Sequence, residues 1–344
     1  MPARPPIEKA WRGEDLTAEP ERWTRHLTKP EVAALEKLGH TPQDLLIADH
    51  PNSIATSDPD LRALANEVRA ALLDGLGMIL LRGFDAASLG PQRSAVSYYL
   101  FSQLIGSTRS QNAQGHLLGH VRDVGADPTD PTSRIYQTNQ RQTFHTDSTD
   151  AVGLLCLQTA KSGGDSLVAS VTAIYAACVE RNPELARLLF LPVATDRRGE
   201  QPPGERPWFE IPVLSWFDGK LTALYQRQYI ESARRFPEAP SPNETHTKAL
   251  DLFDEVANDP AIHLSMRLEP GDIQFVHNHS LLHDRTGFVD YLEPERRRHL
   301  LRVWLSLRGD RALPPSFTQR YGSVEVGERG GIVVEGTELC VPLG

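Results

Sequence analysis

The sequence predicts a mainly β protein of the α+β class, an antiparallel sandwich or barrel with helices packed outside it. Three observations carry that expectation. From about residue 110 the chain breaks into short apolar runs bounded by Gly, Pro, Asp and Ser, the pattern of short strands joined by turns. Helical periodicity is limited to a few segments, most of them upstream. The 26 prolines and 25 glycines are spread along all 344 residues, which suits many turns and not a helical bundle. Strands and helices of this kind bury their apolar faces by stacking in layers.

Taken in order, residues 29–39 read as a helix, with Pro30 near its start where a missing amide costs little. Leu61, Leu64, Val68 and Leu72 recur at helical spacing after Asp58 and Asp60, so 58–75 is a second helix, stopping at Asp74-Gly75. Met78-Ile79-Leu80-Leu81 follows as a buried strand, and 91–105 returns to helix. Strands are expected at 134–138, 152–158, 166–170, 222–225, 263–267, 272–276 and 299–307, with helices at 171–181 and 247–258. Residues 194–217, rich in Pro, Arg, Gly and aromatics, read as a long irregular, lid-like insertion whose 208–216 stretch either closes over the site or forms a structural surface loop. The organisation expected is an N-terminal extension over 1–55 packing on the core, then a single domain over 56–344.

Composition excludes several classes. No run approaches the ~18 apolar residues of a membrane span. The opening Met1-Pro2-Ala3-Arg4-Pro5-Pro6-Ile7-Glu8-Lys9 lacks the apolar core of a secretory signal. Three cysteines without paired spacing suggest neither a disulfide framework nor a thiolate metal site, and a reducing cytoplasm fits. A formal net charge of −9 disfavours nucleic acid and anionic membranes as partners. The expected partner is a small molecule, and a homo-oligomer stays open.

The chemistry concentrates in two segments. In Thr143-Phe144-His145-Thr146-Asp147-Ser148, alternation along a strand would put His145 and Asp147 on one side with Thr146 pointing away. One imidazole and one carboxylate, completed by a second imidazole, form the face that holds non-haem Fe(II) and leaves positions open. Downstream, His277, His279 and His283 all stand in reach as the third ligand, and spacing alone does not choose among them.

A second signal is an arginine inside an apolar strand. In 299–307, alternation puts Leu300, Arg302, Trp304 and Ser306 on one side, with Leu301, Val303, Leu305 and Leu307 on the other. A buried guanidinium needs an anion, and no sequence-adjacent acid faces the same way. Either a bound carboxylate, gripped by two parallel hydrogen bonds, or an acid from elsewhere in the fold must serve. Arg298, four residues earlier, shares the face.

Together, His145-x-Asp147, His283, Arg302, the Gly163-Gly164-Asp165-Ser166 turn and Arg297-Arg298-His299-Leu300-Leu301-Arg302 resemble the TauD/TfdA-like family of Fe(II)- and 2-oxoglutarate-dependent dioxygenases, over roughly residues 75–310. The resemblance implies a double-stranded β-helix, or jelly roll, with flanking helices. It implies Fe(II) on His145, Asp147 and His283. It also implies 2-oxoglutarate on Ser166, Arg298 and Arg302, with Arg302 at the far carboxylate and O2 as the other co-substrate. The expected reaction is oxidation, by default hydroxylation, of an unactivated C–H bond in a small metabolite such as an amino acid or its derivative, releasing succinate and CO2. Desaturation, cyclisation, or a non-catalytic metal-binding jelly roll are the competing readings. Asp147 sets the chain apart from related halogenases, which carry a small residue there. The His283–Arg302 interval is a few residues longer than in taurine-type members, and the taurine contacts do not map. Candidate substrate contacts are Gln111, Asn112, Tyr136, Asn139 and Arg227.

Overall fold

The computed structural model describes residues 10–46, 57–127 and 134–344; the stretch 1–9, where a secretory signal would begin, lies outside them. Two sheets face each other. The larger has seven strands, in the order Thr24–His26, Met78–Arg82, Ile273–His277, Ala151–Gln158, His299–Ser306 and Ser107–Arg109, with Leu118–Val121 also pairing His299–Ser306. The smaller has four, in the order His263–Met266, Ser166–Ser170, Leu281–Arg285 and Gln142–His145. Pairing is antiparallel except where Thr24–His26 joins Met78–Arg82 in parallel.

Strand alternation decides which side chains enter the sandwich. Met78, Leu80, Val152, Val276, Leu300 and Trp304 from the large sheet meet Val168, Leu264, Met266 and Leu281 from the small one. The opposite faces pack on helices. Ile79, Leu81, Phe275, Leu301, Val303 and Leu305 lie against Pro59–Leu73 and Pro91–Ile105. Phe144, Leu167, Ala169 and Leu282 lie against Val171–Arg181 and Glu244–Ala257. The result is helix, sheet, sheet, helix. Residues of the N-terminal stretch take part, since Trp11 and Leu16 join the sandwich interior.

Two local expectations are corrected. Residues 134–138 form a 3-10 turn at Ile135–Gln137, not a strand. Residues 194–217 are irregular only over 197–207, with strands on either side. Pro192–Asp196 and Trp208–Pro212 pair as antiparallel strands, and Leu214–Phe217 pairs with Lys220–Ala223. Phe209 and Ile211 pack on Leu313, Phe317 and Tyr321 from the C-terminal segment. Among the described residues, no helix is long and apolar enough to cross a membrane.

Candidate active site

The small sheet builds the site through a bulge. His145 pairs with His283, and Gln142 pairs with Arg285. Three residues on one strand therefore span two on the other, and the extra residue re-aims the side chains. Gln142, His145, His283 and Arg285 consequently line one cavity, while Phe144 turns outward into the helical layer. The strand ends at His145, so Asp147 is not placed by alternation as expected. The loop is pinned instead: Tyr225 accepts from the Thr146 amide at 2.8 Å, and Asn278 accepts from the Asp147 amide at 3.1 Å.

His145, Asp147 and His283 converge, with potential ligand atoms all within 4.8 Å of one another. His145 Nε2 lies 4.0 Å from Asp147 Oδ1, and His283 Nε2 lies 3.7 Å from Oδ2. His145 Nδ1 donates to the Thr143 carbonyl at 2.8 Å, which leaves Nε2 as an acceptor; it takes a 2.9 Å hydrogen bond from Gln142 Nε2 and is the atom that would face a metal. Burial lowers the His145 pKa, and burial with the neighbouring His145 pushes His283 down to about 3. For Asp147 burial acts the other way, but the Arg302 guanidinium, both imidazoles and the Trp304 indole hold its carboxyl below the usual range. Neutral imidazoles and an ionised carboxylate are the forms that bind a divalent cation.

The other two histidines already hold partners. His277 sits between Ser280 Oγ at 2.8 Å and Asp310 at 3.1 Å. His279 Nε2 lies 2.8 Å from Asp150 Oδ1. Asp150, His279 and Asp310 do form a second close group, but the Arg329 guanidinium bridges both carboxylates, 2.6 Å from Asp150 and 3.1 Å from Asp310. A cation of the chain's own fills the place a metal would take.

Two connected clefts meet at the triad. The inner one, with about 490 Å3 of empty space, is lined by Ser166, His283, Arg285, Arg298 and Arg302 among others. Ser166 donates to Gln274 Oε1 at 3.0 Å. Arg298 is 4% exposed, and its Nη1 has no hydrogen-bond partner among the described residues. Its neighbour is Gly164, with φ of +77° and a position where a Cβ would stand 2.9 Å from Arg298 Nε. Arg285 donates to the Thr138 and Gln140 carbonyls, and burial beside Arg298 pushes it down to about 9. Arg302 lies at the metal end: Nη1 is 3.5 Å from Asp147 Oδ2, and Nε donates to Gln111 Oε1 at 2.7 Å. The acid facing Arg302 thus comes from elsewhere in the fold.

The outer cleft holds about 690 Å3 of empty space and is lined by Gln111, Arg134, Tyr136, Gln142, Thr195, Phe209, Tyr225, Tyr229, Arg302, Trp304 and Arg320 with the metal loop. Of the five candidate substrate contacts, Gln111 and Tyr136 line it. Three do not. Asn112 closes its own turn, accepting from the Gln114 and His116 amides. Asn139 is exposed. Arg227 is tied to Glu231, Asp251 and Asp254. The 3-10 turn explains the split, because it brings Tyr136 under the Arg302 guanidinium at 4.6 Å while Asn139 faces out.

Sequence reasoning missed Trp304 as a partner of the metal loop, although it placed that residue on the Arg302 face. Trp304 Nε1 donates to Asp147 Oδ2 at 2.8 Å. It also missed Gln142, Arg134 and Arg320. Gln142 shares the His145 face only through the bulge, and the two arginines reach the cleft only through tertiary packing.

A jelly roll carrying a two-histidine, one-carboxylate face on its inner wall defines a non-haem iron oxygenase. The chain belongs to the taurine catabolism dioxygenase TauD, TfdA family, whose model matches residues 41–304, and it is a dioxygenase that works with Fe(II) and 2-oxoglutarate. It is 36% identical over 253 residues to FR-33289 synthase of Streptomyces rubellomurinus, covering 72% of this chain and 74% of that one. A taurine hydroxylase-like protein of Stachybotrys chartarum is 28% identical over 319 residues, with 86% and 78% covered. The fold is shared with an asparagine oxygenase solved with Fe(II), 2S,3S-3-hydroxyasparagine and succinate. That match has a TM-score of 0.62 and 18% identity, covering 83% of this chain and 93% of the other.

Proposed function

We propose that this dioxygenase hydroxylates an unactivated C–H bond of a small, amino-acid-like metabolite. The single observation that carries the reading is the convergence of His145, Asp147 and His283 at the junction of two clefts, one of which ends on an unpartnered buried arginine. Fe(II) and 2-oxoglutarate together supply an O2-dependent oxidation with release of succinate and CO2. The chain's own residues divide the remaining work.

His145, Asp147 and His283 hold the metal. Arg298 is the better anchor for the far carboxylate of 2-oxoglutarate, with Ser166 beside it. It stands four residues from Arg302, about 13 Å along an extended strand, and it has donor capacity to spare. Arg302 is engaged with Asp147 and Gln111, so it orients groups at the metal end instead of the far end. Tyr136, Gln111 and Trp304 wall the outer cleft and exclude bulk water from the reacting bond. The hydroxyasparagine named with the asparagine oxygenase supports an amino-acid-like substrate; taurine draws no support, since its contacts do not map.

The test is anaerobic addition of Fe(II) and 2-oxoglutarate to folded protein, read as a visible charge-transfer band. Wild type develops the band and Asp147→Ala does not. No band in wild type, or an unchanged band in Asp147→Ala, would sink the assignment. Succinate release across amino acids and their derivatives, with O2 uptake alongside, then identifies the substrate.

A further inference from the structure

Three arginines line the outer cleft, and their partners differ. Arg134 is paired with Glu200 and donates to the Tyr229 hydroxyl at 2.6 Å. Arg302 lies against Asp147, as described. Arg320 is different. Its Nε donates to Ser148 Oγ at 2.6 Å, and its guanidinium lies 5.7 Å from the centre of the Phe209 ring. No carboxylate among the described residues comes within 4.0 Å of it.

The position is built, not incidental. Arg320 belongs to the short helix Thr318–Tyr321, whose neighbour Phe317 is fully buried against Phe209 and Ile211. Ser148 directly follows the metal ligand Asp147, so the guanidinium is tethered one residue from the triad. Asp147 itself is committed to the metal. Arg197 lies 5.5 Å from the centre of the same Phe209 ring and is itself 3.7 Å from Glu205. This end of the cleft therefore carries one positive charge without a counter-charge, in a partly desolvated place where a guanidinium favours an oxyanion. Burial and the nearby Arg134 push Arg320 down to about 10, which leaves it protonated at neutral pH.

We infer that Arg320, steadied by Ser148, is the specificity-determining contact for an oxyanion on the substrate, held at the outer end of the cleft. The inference rests on the proposed oxygenase reading and deepens it: the substrate is a small anion with its oxidised carbon over the triad and its charged group beneath Arg320. The C-terminal segment supplying this contact lies beyond the residues matched by the family model, which end at 304.

Protein loaded with Fe(II) and 2-oxoglutarate without O2, so that the metal and the inner cleft are filled, is titrated calorimetrically with methylphosphonate, acetate and uncharged acetamide. The anions bind and acetamide does not, and the tighter of the two anions identifies the group. Arg320→Gln weakens that binding by at least about tenfold, as expected for lost charge-assisted bonds, and Arg320→Lys by less, because it keeps the charge but not the fork. Equal affinity in wild type and Arg320→Gln, or no preference for anions over acetamide, overturns the inference. If Arg320→Gln does not fold, Ser148→Ala decides: about fivefold weaker anion binding supports it, and unchanged binding overturns it. The charge-transfer band read in the same samples separates the two readings, since its absence defeats the oxygenase proposal while the anion comparison still gives its own answer.

Discussion

Asp147 receives a 2.8 Å hydrogen bond from the Trp304 indole on Oδ2, the oxygen that also lies 3.7 Å from His283 Nε2 and 3.5 Å from Arg302. An indole N–H has one donor and no acceptor, so it fixes the carboxylate's rotation without competing for the metal. Trp304→Phe keeps the ring's packing and deletes that bond. Fe(II) affinity should fall about 10–100-fold, the usual cost of losing a group that orients a ligand, with little change in thermal stability. Anaerobic Fe(II) titration checks it, and unchanged affinity would show that the loop alone sets Asp147. The two arginines give a second contrast. Arg298→Gln should raise the 2-oxoglutarate Kd by about 10–100-fold, matching about 1.5–3 kcal/mol for hydrogen bonds to a charged group, and Arg302→Gln should raise it by less. The reverse order would restore Arg302 as the far anchor.

Elements place those residues, and here the reach of sequence reasoning has a clear boundary. The long strands and helices were legible because each has one face in a core: Ala151–Gln158, Ser166–Ser170, His299–Ser306 and Val171–Arg181 fall close to their predicted ranges. The alternation of His299–Ser306 was legible for the same reason, with Leu301, Val303 and Leu305 under helices and Leu300 and Trp304 inside the sandwich. The bulge between Gln142 and His145 was not, since it exists only relative to the partner strand. Nor was the pairing of Pro192–Asp196 with Trp208–Pro212, where Phe209 and Ile211 pack on residues a hundred positions later. The site followed a similar rule: the His-x-Asp pair, Gln111 and Tyr136 stood out locally, whereas Arg134 and Arg320 reach the cleft only through distant packing. The Gly-Gly-Asp-Ser turn offers a test at this scale. Gly164 has φ of +77° and faces Arg298 Nε, so Gly164→Ala adds backbone strain of about 1–2 kcal/mol and pushes the arginine aside. Both a lower unfolding temperature and a weaker 2-oxoglutarate titration are expected. A stable variant that binds 2-oxoglutarate normally would mean that Arg298 does not need the space.

Across the whole molecule, the C-terminal segment acts as a clamp over the metal side of the sandwich. Arg329 is fully buried and joins Asp150, next to the metal loop, to Asp310, beyond the last core strand; Asp150 also accepts from Ser306 Oγ and the Leu307 amide. Buried groups so connected make stability depend on pH. Burial pushes His277 down to about 4, so below about pH 6.5 the unfolded chain takes up a proton that the folded chain refuses, and stability falls as pH drops towards 4. Asp310 opposes its own burial because His277, His279 and Arg311 hold its carboxyl far below the usual range; its contribution is present above the ordinary carboxylate pKa and is lost as pH falls further. Arg329→Met removes the cation between two buried carboxylates, which costs about 3–5 kcal/mol at neutral pH, on the order of 10 °C in Tm. Without that cation the two acids repel, and one takes a proton more readily in the folded state. A raised folded pKa adds stability as pH falls, so the Tm gap between variant and wild type should narrow from pH 7.5 to pH 5. Thermal unfolding at the two pH values measures it directly. A gap of equal size at both would mean that Arg329 stabilises by packing alone, and that the clamp is not electrostatic.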